Sequence, residues 1–112
     1  WGYTPLEAIA FRVPTVTTDL SGFGQWVNAK LGSEGRLQDG VLVLHRDDSN
    51  YFEVASRIAD TVVTMAAMSK SQRESLCRKA AKLAGEAEWS SFIQYYKEAY
   101  DYALRQVGSR KK

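Results

Sequence analysis

Hydrophobic positions in this chain fall into short blocks whose spacing changes from helical to extended and back. Leu6, Ile9 and Ala10 recur at helical spacing beside the good helix formers Glu7 and Ala8. Thr4 is placed to cap this helix, and Pro5 to fill its first position, where a missing N–H costs nothing. The helix should stop near Phe11 or Arg12, because Pro14 disfavours a helical Val13. Thr15 to Thr18 is β-branched throughout and predicts a short, buried strand. Asp19 to Gly24, DLSGFG, reads as a turn of small and polar residues, with a second helix from about Gly22 carrying Trp26 and Val27. Three glycines and several charges make residues 32–40 a loop. Val41 to Leu44 is a continuous apolar run, as expected of a strand covered on both faces.

Beyond residue 46 the period is helical. Asp47, Asp48 and Ser49 offer caps for a helix whose stripe is Phe52, Ala55, Ile58, Ala59, Val62 and Ala66. Ser69 or Ser71 should start the next helix, with Leu76, Ala80 and Leu83 inward and Gly85 as its break. A last helix spans about Glu88 to Gln106, with Trp89, Phe92, Ile93, Tyr96, Tyr100, Ala103 and Leu104 along one stripe. Short strands alternating with helices predict an α/β fold with a parallel sheet. Two strands do not make a stable parallel sheet alone. The pattern therefore predicts further strands upstream of Trp1, or self-association.

Composition narrows the class without choosing a function. The chain has 112 residues, 45% hydrophobic and 25% charged, which is ordinary for one small globular unit or part of a larger one. The net charge of +2 is too small to suggest a nucleic-acid partner, and Arg110, Lys111 and Lys112 supply the excess at one end. One cysteine, Cys77, excludes an internal disulfide and reads as an inert helical residue. No apolar run is long enough to cross a membrane and no signal-peptide pattern is present, so a cytoplasmic, non-membrane protein is expected. No His, Cys and carboxylate cluster suggests a metal.

The candidate chemistry stands at the start, in Trp1-Gly2-Tyr3-Thr4-Pro5 and Glu7. A glycine lets backbone approach a ligand closely. The N–H groups that follow, at a helix N-terminus, favour an anion, and Thr4 adds a hydroxyl. In an α/β domain this edge is where nucleotides bind. Glu7, one turn in, has the reach for a ribose diol. An ordinary turn and cap would use the same residue types, and from these residues alone both readings stay open.

The stretch WGYTPLEAIAFRVPTVTTDLSGFG resembles the C-terminal domain of glycogen synthases, most like the branch found in animals and fungi. These are retaining glycosyltransferases with two Rossmann-like domains. The matching positions are Trp1 to Pro5, Glu7, Pro14 to Thr18 and Leu20 to Gly24, in the family's order and spacing. The resemblance implies a partial Rossmann-like sheet with flanking helices, residues 1–112 being the C-terminal portion of the nucleotide-sugar domain of a GT-B enzyme. It implies that 88–107 is a helix crossing back to an N-terminal domain. Trp1 and Gly2 would line the donor pocket, Tyr3 and Thr4 would meet the diphosphate, and Glu7 would hold the ribose. The family's first glutamate, against the donor sugar, would lie upstream of Trp1, so no catalytic residue is expected within the chain.

The implied reaction transfers glucose from UDP-glucose or ADP-glucose to the non-reducing end of an α-1,4-glucan with retention, and needs no cofactor or metal. Negative charge developing on the diphosphate would be met by fixed donors and upstream cations. The chain alone is expected to be inactive. The expected partners are the nucleotide sugar and the glucan, with a homo-oligomer possible. Other readings are a related GT-B enzyme with a different acceptor, and a non-catalytic, self-associating α/β module.

The remaining candidates have plainer readings. His45, after the second strand, reads as a surface or edge residue, and Arg46, Asp47 and Asp48 as capping and solvated charge. Trp89, Phe92, Tyr96 and Tyr100 read as core, while Tyr95 and Tyr102 point elsewhere, towards a further domain. Arg73, Arg78, Lys79 and Lys82 form a basic helix face. In animal and fungal glycogen synthases an arginine run near this place senses a sugar phosphate. Leu76, Cys77, Ala80 and Ala81 interrupt it here, so a solvated face is expected. Phe23, Trp26 and Val27 should pack under the cleft, with Gly22 and Gly24 letting the turn pass near the donor sugar.

Overall fold

A computed structural model describes residues 3–110, and the side chains of Trp89, Ser91 and Arg110 are not described within it. The order is α1 (Tyr3–Ala10), β1 (Thr15–Thr18), α2 (Gly22–Leu31), a 3-10 turn (Leu37–Asp39), β2 (Val41–Leu44), α3 (Tyr51–Ala66), α4 (Lys70–Glu86) and α5 (Trp89–Arg110). The two strands pair in parallel, Thr15 opposite Val41 through Thr18 opposite Leu44. The result is a small α/β unit, a two-stranded parallel sheet flanked by helices, as the alternating pattern predicts.

β2 is the centre of the packing. All four of its residues are buried, because its two faces serve two clusters. Val41 and Val43 pack with Ile9 of α1, Phe23 and Val27 of α2, and Ala80 and Leu83 of α4. Leu42 and Leu44 pack with Val54 of α3, with Val16 and Leu37 partly buried against them. β1 is half-buried along its whole length, not buried as its β-branched run predicts. β-branching reports a fit to a pleated surface, not the number of faces that become covered.

Local chemistry sets the ends of the elements. α1 already includes Thr4 and Pro5, so Thr4 lies inside the first turn and is not a cap preceding it. At its other end Arg12 takes a left-handed conformation, φ 65°. The Arg12 N–H donates to Ile9 O at 3.0 Å, and the Val13 N–H to Ala8 O at 3.0 Å, which closes a Schellman turn on an arginine in place of the usual glycine. The Ser21 hydroxyl caps α2 by accepting from the Gly24 N–H at 3.3 Å. Ser69 caps α4, and Gln72 reaches back to the Ser69 N–H at 2.9 Å, a full capping box. Gly85 lies in the last turn of α4, which ends one residue later at Glu86, next to the expected break.

The two long amphipathic stripes behave differently from their sequence reading. In α3 the buried positions are Val54 and Thr61. Phe52, Ala55, Ile58, Ala59, Val62 and Ala66 are all exposed, Phe52 to 84%. A two-stranded sheet presents only the narrow Leu42–Leu44 face to α3, and Val54 fills it. In α5, Phe92 and Ile93 are half-buried, and Phe92 meets the Trp26 ring at 6.0 Å. Tyr96 and Tyr100 are exposed, contrary to their expected place in the core, as are Ala103 and Leu104. α5 is 22 residues long and meets the α/β body near its first turns. The Trp89 side chain lies outside the described residues. Tyr95 and Tyr102 are exposed, as their helical positions predict.

Candidate functional site

The turn after α1 reverses the chain into β1, and α2 leaves from the far end of that strand. The starts of α1 and α2 therefore share one edge of the molecule with the C-terminal ends of both strands. This is the edge where open parallel sheets bind ligands. Tyr3, Thr4 and Glu7 are exposed there, on the first two turns of α1. Glu7 is one helical turn from both Tyr3 and Thr4, so the three side chains project from neighbouring positions. Trp1 and Gly2 lie outside the described residues.

The turn DLSGFG is held against the sheet by a glycine. A Cβ on Gly24 would overlap the Thr18 carbonyl oxygen and stand 3.3 Å from Asp19 Cα. Only a bare Cα lets the first turn of α2 come this close to the end of β1. Phe23 and Val27 are fully buried beneath, and Trp26, half-buried, meets the Phe23 ring at 6.0 Å. Gly24 thus has a packing role, whatever the turn does toward a ligand.

The same edge carries a polar cluster that sequence reading treats as surface charge. Thr18 is opposite Leu44 in the parallel ladder, so the residues that follow, Asp19 and His45, emerge side by side. His45 Nδ1 lies 2.7 Å from Asp19 Oδ2, and its Nε2 lies 3.2 Å from Asp47 Oδ2. The Arg46 N–H donates to Asp19 Oδ1 at 3.0 Å. Asp47 Oδ1 accepts from the Ser49 N–H at 2.8 Å and from its hydroxyl at 2.7 Å. The Asn50 amide donates to His45 O at 2.8 Å, and its Oδ1 accepts from the Asp47 N–H at 2.8 Å. The Arg46 guanidinium turns to Asn50 Oδ1 at 3.3 Å and stands 5.6 Å from the Tyr51 ring centroid.

These contacts set the titration of the cluster. The hydrogen bond to Asp19, then the Asp19 charge, raises the His45 imidazole above its ordinary value. The Arg46 N–H, followed by the bond to His45, lowers Asp19. The Ser49 hydroxyl and N–H lower Asp47. Asp47 closes a local turn onto Ser49 but does not cap α3, whose N-cap residue is Asn50, so the caps expected at Asp47, Asp48 and Ser49 fall too early in the chain, and His45 is more than an edge residue. The signal in the sequence was positional: an acid directly after one strand and a histidine directly after its neighbour, both strands four residues long.

Elsewhere, Arg73, Arg78, Lys79 and Lys82 are exposed, as a solvated face predicts. Lys79 and Lys82 join Lys30, Asp39 and Glu86 around an open groove of about 380 Å³. Among the described residues, no group of three or more His, Cys, Asp and Glu side chains is arranged to hold a metal ion. No helix among them is long and apolar enough to cross a membrane.

Similarity to known proteins extends over the whole fold. The chain is 28% identical over 107 residues to a glycogen (starch) synthase of Caenorhabditis elegans, covering 96% of this chain and 16% of that protein. It is 26% identical over 107 residues to glycogen (starch) synthase isoform 1 of Saccharomyces cerevisiae, covering 96% of this chain and 15% of that protein. It is 26% identical over 104 residues to the liver glycogen (starch) synthase of Mus musculus, with coverage of 93% and 14%. The chain thus spans a small part of the length of the relatives it matches. The description of the glycogen synthase family itself matches residues 1–111, well beyond the opening motif, and the chain belongs to that family.

Proposed function

We propose that this chain is the C-terminal portion of the nucleotide-sugar domain of a GT-B, retaining glucosyltransferase. The enzyme moves glucose from UDP-glucose or ADP-glucose to the non-reducing end of an α-1,4-glucan. The observation that carries the reading is the family match together with the sheet edge where the starts of α1 and α2 converge. Trp1 and Gly2 line the donor pocket, Tyr3 and Thr4 meet the diphosphate, and Glu7 accepts hydrogen bonds from the ribose hydroxyls. The exposure of Tyr3, Thr4 and Glu7 supports their availability to a ligand. Fixed N–H donors at this edge stabilise charge on the leaving diphosphate as the glycosidic bond breaks. Residues 88–107 form the crossover helix to an N-terminal domain. The 112-residue chain by itself is inactive, because the acceptor site and the diphosphate clamp come from other parts of the enzyme.

The test uses the full-length protein, labelled UDP-glucose or ADP-glucose and a glycogen primer. Incorporation into α-1,4-glucan that is lost or strongly weakened by Glu7→Ala supports the reading. Turnover of either donor onto a different acceptor supports a related GT-B enzyme. Absence of any nucleotide-sugar binding or turnover overturns the reading. The exposed apolar stripe of α3 favours, as a second reading, a self-associating module without catalysis.

A further inference from the structure

We propose that Asp19 and His45 are positioning residues: together they strap the C-terminal ends of β1 and β2 to each other and fix the turn that opens α2. The proposal does not depend on the reaction proposed above.

Every polar group of Asp19 is engaged. Its N–H donates to Leu44 O at 3.1 Å, one step beyond the last ladder pair. Its carbonyl accepts from Gln25 Nε2, on the first turn of α2, at 3.1 Å. Its two carboxylate oxygens are divided between the Arg46 N–H and the His45 ring. Asp19 therefore joins β1, the loop after β2 and the start of α2 through one residue. His45 extends the connection: its Nε2 reaches Asp47, and its carbonyl holds Asn50, the residue before α3.

Making both carboxylate contacts at once requires a proton. An imidazole has an N–H on both nitrogens only as the cation. Here each nitrogen faces a carboxylate oxygen. A neutral ring satisfies one of these contacts and turns a lone pair toward the other carboxylate. The charged groups facing the ring are Asp19, from the end of β1, and Asp47, from the loop before α3, both acidic. α2 contributes the neutral Gln25 to the cluster, and the Arg46 guanidinium turns to Asn50 and Tyr51. All the charge facing the ring therefore favours its cation, in agreement with its raised titration. The strap is complete below that raised value and is weakened as pH rises through it, when the ring loses its charge and one of its two carboxylate contacts.

The test is histidine NMR on the full-length protein, with His45 assigned by its loss in His45→Gln, together with amide exchange over residues 20–24. The expected His45 midpoint lies above the ordinary 6.5 and falls in Asp19→Asn. Protection at 20–24, corrected for intrinsic exchange, should drop severalfold as pH passes through that midpoint. In His45→Gln it should be low and independent of pH. Both variants are at partly exposed positions, and the wild-type pH series decides the matter even if one fails to fold. A midpoint at or below 6.5 in the wild type, or protection at 20–24 indifferent to the state of His45, overturns the proposal.

Discussion

The Cα of Gly24 faces the carbonyl of Thr18 so closely that no side chain fits between the start of α2 and the end of β1. This contact sets how the DLSGFG turn sits on the sheet. It also places Phe23 and Val27 in the core beneath. Gly24→Ala should therefore force backbone to move and cost about 3 kcal/mol, the upper part of the usual range for overpacking. Urea unfolding of the variant against the wild type measures it. An unchanged midpoint would show that α2 is free to lift from β1.

Phe23 is the largest of the fully buried side chains and meets both the sheet and Trp26. Phe23→Ala should cost roughly 3–5 kcal/mol, because it removes apolar burial and leaves a cavity under the turn. Phe23→Leu should cost clearly less. Chemical denaturation of the two variants separates cavity formation from a generic loss of packing.

The acid limb of stability should depend on Asp19 and Asp47. Both are lowered in the folded state from an ordinary value of 3.8. A lowered carboxylate contributes stability that is present above its unfolded value and lost as pH falls through the folded one. Thermal melting should therefore fall below pH 3.8, and Asp47→Asn should flatten that limb. The alkaline limb has the opposite origin. The raised His45 contributes below its unfolded value, and that contribution is lost as pH rises through the folded one. Melting curves across both limbs, for wild type and Asp47→Asn, check the assignment.

Ser69 and Gln72 satisfy each other's backbone N–H groups at the start of α4. Ser69→Ala should cost about 1 kcal/mol, and Ser69→Asp should retain most of the cap. Because α4 supplies Ala80 and Leu83 to the main cluster, the loss should appear in global unfolding, read by denaturant titration.

Val62 and Val63 of α3 are 61% and 69% exposed. Replacing both by Gln should change the stability of the 112-residue chain by less than about 0.5 kcal/mol each, as surface substitutions do. Sedimentation should show less self-association than the unaltered chain at the same concentration. Equal association would locate the sticky surface elsewhere, such as the open edge of β1.

Much of this molecule is legible along the chain, because it depends on neighbours in sequence. Helix spacing, the Ser69 cap and the apolar run Val41–Leu44 act within a few residues, and the elements appear where they predict. The opening motif and the DLSGFG turn likewise suffice to indicate the family. Tertiary structure decided which apolar faces found a partner. Periodicity gives the Phe52–Val62 and Tyr96–Leu104 stripes a direction, but burial needs an opposing surface, and a two-stranded sheet supplies one for Val54 alone on that side. It also decided the fate of Asp19 and His45. They are 26 positions apart, and only the parallel register, Thr18 against Leu44, turns an acid and a histidine after two separate strands into one hydrogen-bonded pair.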